Sequence, residues 1–318
     1  MDGRDKPGHD QMAVEMKSLF VDCNDQLAPV WKQVIRPDDP AIDVNMTAFA
    51  REDVARVIDG YEIVLDDHSY MPTAEMAKAK TLKHIVFLGT GAASYMNVAE
   101  LKDLGIAVHT IKGYGDIAVA EHSMALLFAA ARDIARMDRE VRGGQWTPQE
   151  GVQLFGKTLG VIGLGGIGRE MARMAKGIGM NVLAYNRTAR NDAPCPLVDI
   201  DALLAQSDVV SMHLTLGDET RGFLSADRIG RMKPGALFIN TARGALVDEA
   251  ALIAALKSGH IRHAGLDVFH AEPLKADNPV AQLPNVTLTS HAAFRTLEAS
   301  MTLLRRAIDI AKTIVAKA

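Results

Sequence analysis

The chain of 318 residues is poor in cysteine, poor in aromatic side chains and close to balanced in charge. Its two cysteines, Cys23 and Cys195, are too few for a disulfide framework and lack the spacing of a metal site. That composition points to a reducing compartment, the cytoplasm, and to no bound metal. A formal net charge of -4 gives no reason to expect nucleic acid or an anionic membrane as partner. No uninterrupted apolar run approaches the roughly 18 residues needed to span a bilayer. The first stretch, Met1 to Met16, is rich in Asp, Gly, Lys, Pro and His and has no apolar h-region, so it does not read as a secretory signal. A disordered tail over 1–16 is the expectation, with Met12 and Met16 equally good as the true start. The remainder, 48% apolar and 23% charged overall, has the composition of folded protein, and its length favours two domains.

What the chain does have is a glycine motif in a telling place. Lys157-Thr-Leu-Gly-Val-Ile-Gly163-Leu-Gly165-Gly166-Ile167-Gly168 is an apolar strand running straight into Gly-x-Gly-x-x-Gly, followed by an amphipathic helix pattern (Ile167, Met171, Met174, Ile178). Each glycine has its own task at a dinucleotide site: the tight turn, the close approach to a pyrophosphate, and the packing of helix on strand. The helix start at Gly166 and Ile167 offers N–H groups and a positive dipole end to phosphates. The competing reading is a glycine-rich turn without ligand. The strand-to-helix placement weighs against it.

Short strands alternate with helical stretches from Ser18 onward, which implies two parallel-sheet α/β units. Strands are expected at Ser18–Val21, Ile42–Val44, Glu62–Leu65, His84–Leu88 and Ile106–Thr110, with helices at Thr47–Ile58 and Asn97–Leu104. A second set falls at Thr158–Ile162, Asn181–Tyr185, Val209–Leu214, Ala236–Asn240, Ala264–Val268 and Val286–Thr289. Between the two sets, Asp116–Arg142 reads as one helix of about 40 Å. Its first half is apolar almost all round and must be buried. Burial by a second subunit and burial inside a monomer suit the sequence equally. The amphipathic segment Leu297–Val315 is expected to return to the first lobe. The expected domains are therefore a discontinuous lobe of 17–116 and 295–318 and a dinucleotide-binding domain of 117–294, hinged about a cleft.

Ligands of open α/β sheets sit beyond the carboxyl ends of the strands. There the sequence places Arg243 (Asn-Thr-Ala-Arg-Gly), Glu272 (Phe-His-Ala-Glu-Pro) and His291 (Thr-Ser-His-Ala-Ala). Gly244 would permit an unusual backbone beside Arg243. Taken singly, each has a plain alternative as a surface or loop residue; their coincidence on the edge that carries the glycine loop favours chemistry. Imidazole can protonate a carbonyl oxygen as a carbonyl is reduced, a neighbouring carboxylate raises its proton affinity, and guanidinium grips a carboxylate. A 2-oxo acid carries both groups. His263 and His270 read as structural or solvated. His213, after a strand, is ambiguous, and it is counted with Thr241 among the candidate cofactor contacts.

These residues resemble the D-isomer-specific 2-hydroxyacid dehydrogenase family. The likeness rests on 163–168, on Asn-Thr-Ala-Arg-Gly-Ala-Leu-Val-Asp-Glu-Ala-Ala-Leu (240–252), on Gly-Leu-Asp-Val-Phe-His-Ala-Glu-Pro-Leu (265–274) and on Leu-Thr-Ser-His-Ala-Ala (288–293). It implies a Rossmann nucleotide-binding domain plus a flavodoxin-like substrate lobe. By the same resemblance Arg243 binds the substrate carboxylate and keto oxygen, Glu272 orients His291, and His291 is the acid/base. Asp267 would lie near the nicotinamide carboxamide, backbone N–H groups of Leu88-Gly89-Thr90-Gly91 would hold the carboxylate, and the 116–142 helix would build a homodimer. Phosphoglycerate dehydrogenases carry arginine where this chain has Phe87, which disfavours that substrate. The formate-oxidising branch pairs its histidine with glutamine, which Glu272 excludes. The acidic run that usually follows the 88–91 loop is replaced by Ala92-Ala93-Ser94-Tyr95-Met96-Asn97, and the pocket wall reads as apolar (Phe87, Leu88, Tyr95, Met96, Tyr70, Met71). Glyoxylate and hydroxypyruvate are the first candidate substrates. A second class, a nucleotide-sensing co-repressor on the same fold, is weakened by the complete Arg243/Glu272/His291 set.

Cofactor preference is read at the end of the strand after the glycines. NAD enzymes place an acid there for the ribose 2′-hydroxyl. This chain has Asn186-Arg187-Thr188, with Arg190 nearby, which suits a 2′-phosphate. The expectation is NADP(H) over NAD(H); the alternative is an Arg187 that points to solvent while NAD(H) still binds.

Overall fold

A computed structural model describes residues 16–188 and 191–317. The chain divides into two compact units, one running to Tyr114 and resuming at Ser300, the other Gly115–Ala299.

The first unit is a parallel sheet of β1 (Ser18–Phe20), β2 (Ile42–Val44), β3 (Ile63–Asp66), β4 (His84–Phe87) and β5 (Ala107–Thr110), ordered β2-β1-β3-β4-β5. That is the flavodoxin-like order, reversing direction between β1 and β3. β3 is apolar without alternation because both its faces are covered. On one face Phe20, Trp31, Leu65 and Val86 share a core with Leu303, Leu304, Ala307, Ile308 and Ala311 of the helix Leu297–Val315. The i, i+4 spacing gives that helix its buried stripe. Arg305, beside the stripe, donates to both carboxylate oxygens of Asp39 at 2.7 and 2.8 Å.

Two expectations fail in this unit. Met16, placed in the tail, is buried in the core beside Phe20 and Trp31. Thr47–Ile58 forms only a 3₁₀ turn, Arg51–Asp53, and the short helix Val54–Val57. Of that segment only Val54 and Ile58 are buried, one turn apart, and Asn45 holds the entry by donating to the carbonyls of Val21 and Thr47.

The second unit has β6 (Thr158–Ile162), β7 (Asn181–Tyr185), β8 (Val209–Met212), β9 (Ala236–Asn240), β10 (Ile261–Leu266) and β11 (Val286–Leu288), all parallel and ordered β11-β10-β9-β8-β6-β7. Beyond β7 the chain makes a single parallel bridge, Ala184 with Leu197. Ala184 N–H donates to the Pro196 carbonyl and Val198 N–H donates to the Ala184 carbonyl. With that remnant counted as a strand, the order is that of dinucleotide-binding sheets, switching between β6 and β8.

The long helix is not continuous. It runs Asp116–Arg132 and restarts as Ile134–Arg142, because Asp133 adopts φ 53°. Asp is one of the few residue types that visit the left-handed region at modest cost. The first segment lies against β9, β10 and the helix Gly166–Gly177, so its own unit buries it. A Cβ on Gly265 of β10 would lie 2.9 Å from Leu126 Cβ, a measure of how closely helix meets sheet. The second segment has no buried residue.

Candidate active site

Gly163 follows β6 with φ 97°, and a Cβ there would meet the His213 carbonyl oxygen at 2.7 Å. At Gly168 a Cβ would lie 2.0 Å from the Gly163 carbonyl oxygen, so the helix can start only on glycine. Gly165 is exposed and a Cβ on it would meet nothing within 4 Å. This is the open face that a pyrophosphate would need, at the N-terminus of the helix Gly166–Gly177. Gly166 is restricted in another way: a Cβ would meet the Asp116 carboxylate, 1.7 Å from Oδ2. Ile167 turns its side chain towards the core, leaving its backbone to the loop.

Asn186 staples this loop from the end of β7. Its Oδ1 accepts from Leu164 N–H at 3.1 Å and its Nδ2 donates to the Thr188 carbonyl at 2.7 Å. Arg187 is exposed and paired with the equally exposed Glu219; Thr188 is exposed beside it. Arg190 lies outside the described residues. His213 Nε2 contacts the Ser211 hydroxyl at 2.8 Å, and burial lowers its pKa to about 4, so the ring is neutral at physiological pH. The free glycine face and the helix start fit a dinucleotide. Gly163–Gly168 would hold its pyrophosphate, and the segment from Asn186 to Thr188 would lie at its adenosine ribose.

The three ionisable residues come from three strand ends of the second unit. His291 Nδ1 lies 2.7 Å from Glu272 Oε2, and the other Glu272 oxygen accepts from Phe269 N–H at 2.9 Å. Burial pushes the Glu272 carboxyl up, but the hydrogen bonds from His291 and Phe269 and the Arg243 charge together bring it below its ordinary value. Arg243 is therefore electrostatically within reach of the pair. One of its terminal nitrogens donates to the Ala242 carbonyl at 2.7 Å, which folds the guanidinium back along its own loop. Gly244 does not take a positive φ. Its reason is space: a Cβ would sit 2.1 Å from the Phe269 carbonyl carbon, where the Arg243 and Glu272 loops cross.

Two candidate cofactor contacts prove to be engaged inside the protein. Asp267 is fully buried and accepts from Thr289 Oγ1 and from the N–H groups of Ala292 and Ala293. Thr241 is buried, with its hydroxyl 2.8 Å from that of Ser123. The sequence reading passed over Ser123 and its neighbour His122, whose Nε2 is 2.9 Å from Thr289 Oγ1. The available signal was the polar run Glu121-His122-Ser123 in the middle of a largely apolar helix. His263 and His270 are structural: they bond Thr287 and the Val247 carbonyl.

In the first unit the N–H groups of Leu88 and Gly89 donate to the Asp66 and Phe87 carbonyls. Thr90 is exposed and Gly91 half-buried, which leaves their N–H groups as the available donors of that loop. Of the expected apolar wall, Phe87, Leu88, Met71 and Met96 are core residues rather than wall. Tyr95 is half-buried, and Tyr70 is exposed beneath the Arg51 guanidinium.

A parallel sheet that switches at a glycine loop defines a dinucleotide-binding fold, and comparison with known proteins narrows the class. Residues 124–293 match the family described as D-isomer specific 2-hydroxyacid dehydrogenase, NAD binding domain. The D-3-phosphoglycerate dehydrogenase of Archaeoglobus fulgidus is 40% identical over 262 residues, covering 80% of this chain and 50% of that protein. The hydroxypyruvate reductase of Thermotoga maritima is 34% identical over 290 residues, 89% of this chain and 94% of that one. The chain thus spans about half the length of the first relative and nearly all of the second. A solved acyclic imino acid reductase in complex with NADPH and D-Arg superposes with a TM-score of 0.83 at 30% identity, covering 95% of this chain and 98% of that one. The chain belongs to the D-isomer-specific 2-hydroxyacid dehydrogenase family. It is an NAD(P)-dependent oxidoreductase of small 2-oxo acids. Among the described residues no helix is long and apolar enough to cross a membrane.

Proposed function

We propose that the chain is a glyoxylate or hydroxypyruvate reductase that prefers NADPH. The observation that carries this reading is the His291–Glu272 hydrogen bond with the Arg243 charge beside it. Arg243 holds the substrate carboxylate and polarises the adjacent carbonyl oxygen, where negative charge develops. With Nδ1 engaged by Glu272, His291 presents Nε2–H to that oxygen. A nicotinamide cofactor held by Gly163–Gly168 would supply the hydride to the carbonyl carbon, and the His291 imidazolium would supply the proton that completes the hydroxyl. A phosphorylated substrate is disfavoured because the position that carries arginine in phosphoglycerate dehydrogenases is here Phe87, an uncharged core residue.

NADPH is favoured because no acid follows β7, and an exposed ion pair such as Arg187–Glu219 exchanges readily for a 2′-phosphate contact. A homodimer built on the 116–142 segment is supported by the exposed Ile134, Val141 and Trp146. Two buried free thiols suit a cytoplasmic enzyme. Loss of NADPH absorbance with a panel of 2-oxo acids tests the assignment: turnover is expected with glyoxylate and hydroxypyruvate. Silence across the panel would instead favour a nucleotide-sensing protein. Sedimentation of the full chain checks the dimer.

A further inference from the structure

The helix Asp116–Arg132 has one polar run in its middle, Glu121-His122-Ser123; Glu121 is exposed, whereas His122 is half-buried and Ser123 buried. Polar groups in such a setting require partners, and these two find them in two different loops. The Ser123 hydroxyl donates to the Val119 carbonyl at 2.8 Å, so at its 2.8 Å contact with Thr241 it must accept. Thr241 stands two residues before Arg243. The Thr289 hydroxyl donates its one proton to Asp267 Oδ1 at 2.5 Å. His122 Nε2, 2.9 Å from Thr289 Oγ1, is therefore the donor in that contact, and it also lies 3.6 Å from Asp267 Oδ1.

Asp267 collects the rest of the turn. Its carboxylate accepts from Ala292 and Ala293 N–H at 3.0 Å each, and its backbone carbonyl accepts from His291 N–H at 2.9 Å. These bonds hold His291 at φ 53°. A non-glycine residue keeps that conformation only where its surroundings impose it.

We propose that His122 and Ser123 are positioning residues. From successive places on one rigid helix they set the His291 loop and the Arg243 loop in fixed relation, so that imidazole and guanidinium address the same substrate. Neither is a catalytic residue; each acts through another side chain. The inference rests on the roles of His291 and Arg243 proposed above. Loosening the turn weakens the His291–Glu272 contact.

The variants His122→Gln, His122→Asn, His122→Ala and Ser123→Ala in the full chain test this. A glutamine amide nitrogen takes the place of imidazole Nε2, whereas an asparagine nitrogen takes that of Nδ1 and falls short of Thr289. His122→Ala and His122→Asn are expected to lower kcat about ten- to hundredfold, the scale of small misplacements of a reacting group. NADPH binding, read by fluorescence, should stay in place, and KM for the oxo acid should change little. His122→Gln is expected to restore kcat. Ser123→Ala should raise KM for the oxo acid and leave kcat near the wild-type value.

Wild-type kcat in His122→Ala would overturn the inference. Where that variant does not fold, identical behaviour of His122→Gln and His122→Asn would do the same. His291→Ala separates the two readings. If it turns over normally, the acid/base assignment fails. If it is inactive while His122→Asn matches wild type, only the positioning role fails.

Discussion

Gly244 and Phe269 touch backbone to backbone, with room for no side chain between them: a Cβ on Gly244 would lie 2.1 Å from the Phe269 carbonyl carbon and 2.3 Å from its oxygen. Through this crossing the loop that carries Arg243 is held against the loop that carries Glu272. Gly244→Ala must push the two apart. A fall in kcat/KM of about a hundredfold is expected, with a loss of roughly 1–3 kcal/mol in unfolding free energy from overpacking. A variant with unchanged kinetics would show that the crossing does not set the site.

Glu272→Gln removes the carboxylate but keeps the shape. Without it, His291 loses the charged acceptor that orients its ring, and kcat/KM should fall about ten- to hundredfold. The folded protein holds the Glu272 carboxyl below its ordinary value. Its contribution to stability is therefore present above the unfolded pKa, near 4.5, and is lost as pH falls through the folded value. Urea melts of wild type and variant should converge on acidification. An unchanged kcat/KM would remove Glu272 from its assigned part.

Arg187→Ala addresses the cofactor. Loss of a charge-assisted contact to a 2′-phosphate should raise the NADPH KM about tenfold, equivalent to ~1.4 kcal/mol. The NADH KM should stay where it is. A wild-type enzyme that already favours NADH, or a variant whose two KM values change alike, contradicts the preference.

Asp39→Ala probes the first unit. Asp39 is almost wholly buried beneath the bidentate Arg305, whose hydrogen bonds hold its carboxyl below the ordinary value. Removing Asp39 leaves the Arg305 guanidinium with only the exposed Asp309 carboxylate as counter-charge, at a cost of roughly 1–3 kcal/mol. Because the Asp39 pKa is depressed, the difference between wild type and variant should be full at neutral pH and shrink as pH falls below about 4. Denaturant melts at the two pH values measure it.

The helix and strand pattern was readable where local chemistry and burial agreed. Thr158–Ile162, Asn181–Tyr185 and Leu297–Val315 lie where periodicity put them. It failed where tertiary contacts overrode propensity. The helical signal of Thr47–Ile58 gave way to an Asn45-held turn, and Asp133 interrupted a helix whose composition gave no warning. Phe87, Leu88, Met71 and Met96 looked like pocket wall because apolar residues near a loop read the same whether they face the core or a ligand. Only burial distinguishes them.

The sequence by itself determined the fold class, the glycine loop and the presence of Arg243, Glu272 and His291 at strand ends, since spacing along the chain encodes all of these. The tertiary structure alone decided which donors meet which acceptors. It committed Asp267 and Thr241 to the interior, turned His291 into a left-handed backbone, and brought His122 to Thr289 across 167 residues of chain. Hydrogen bonds act over about 3 Å, and such proximity between distant residues arises only when the strands and helices between them have packed.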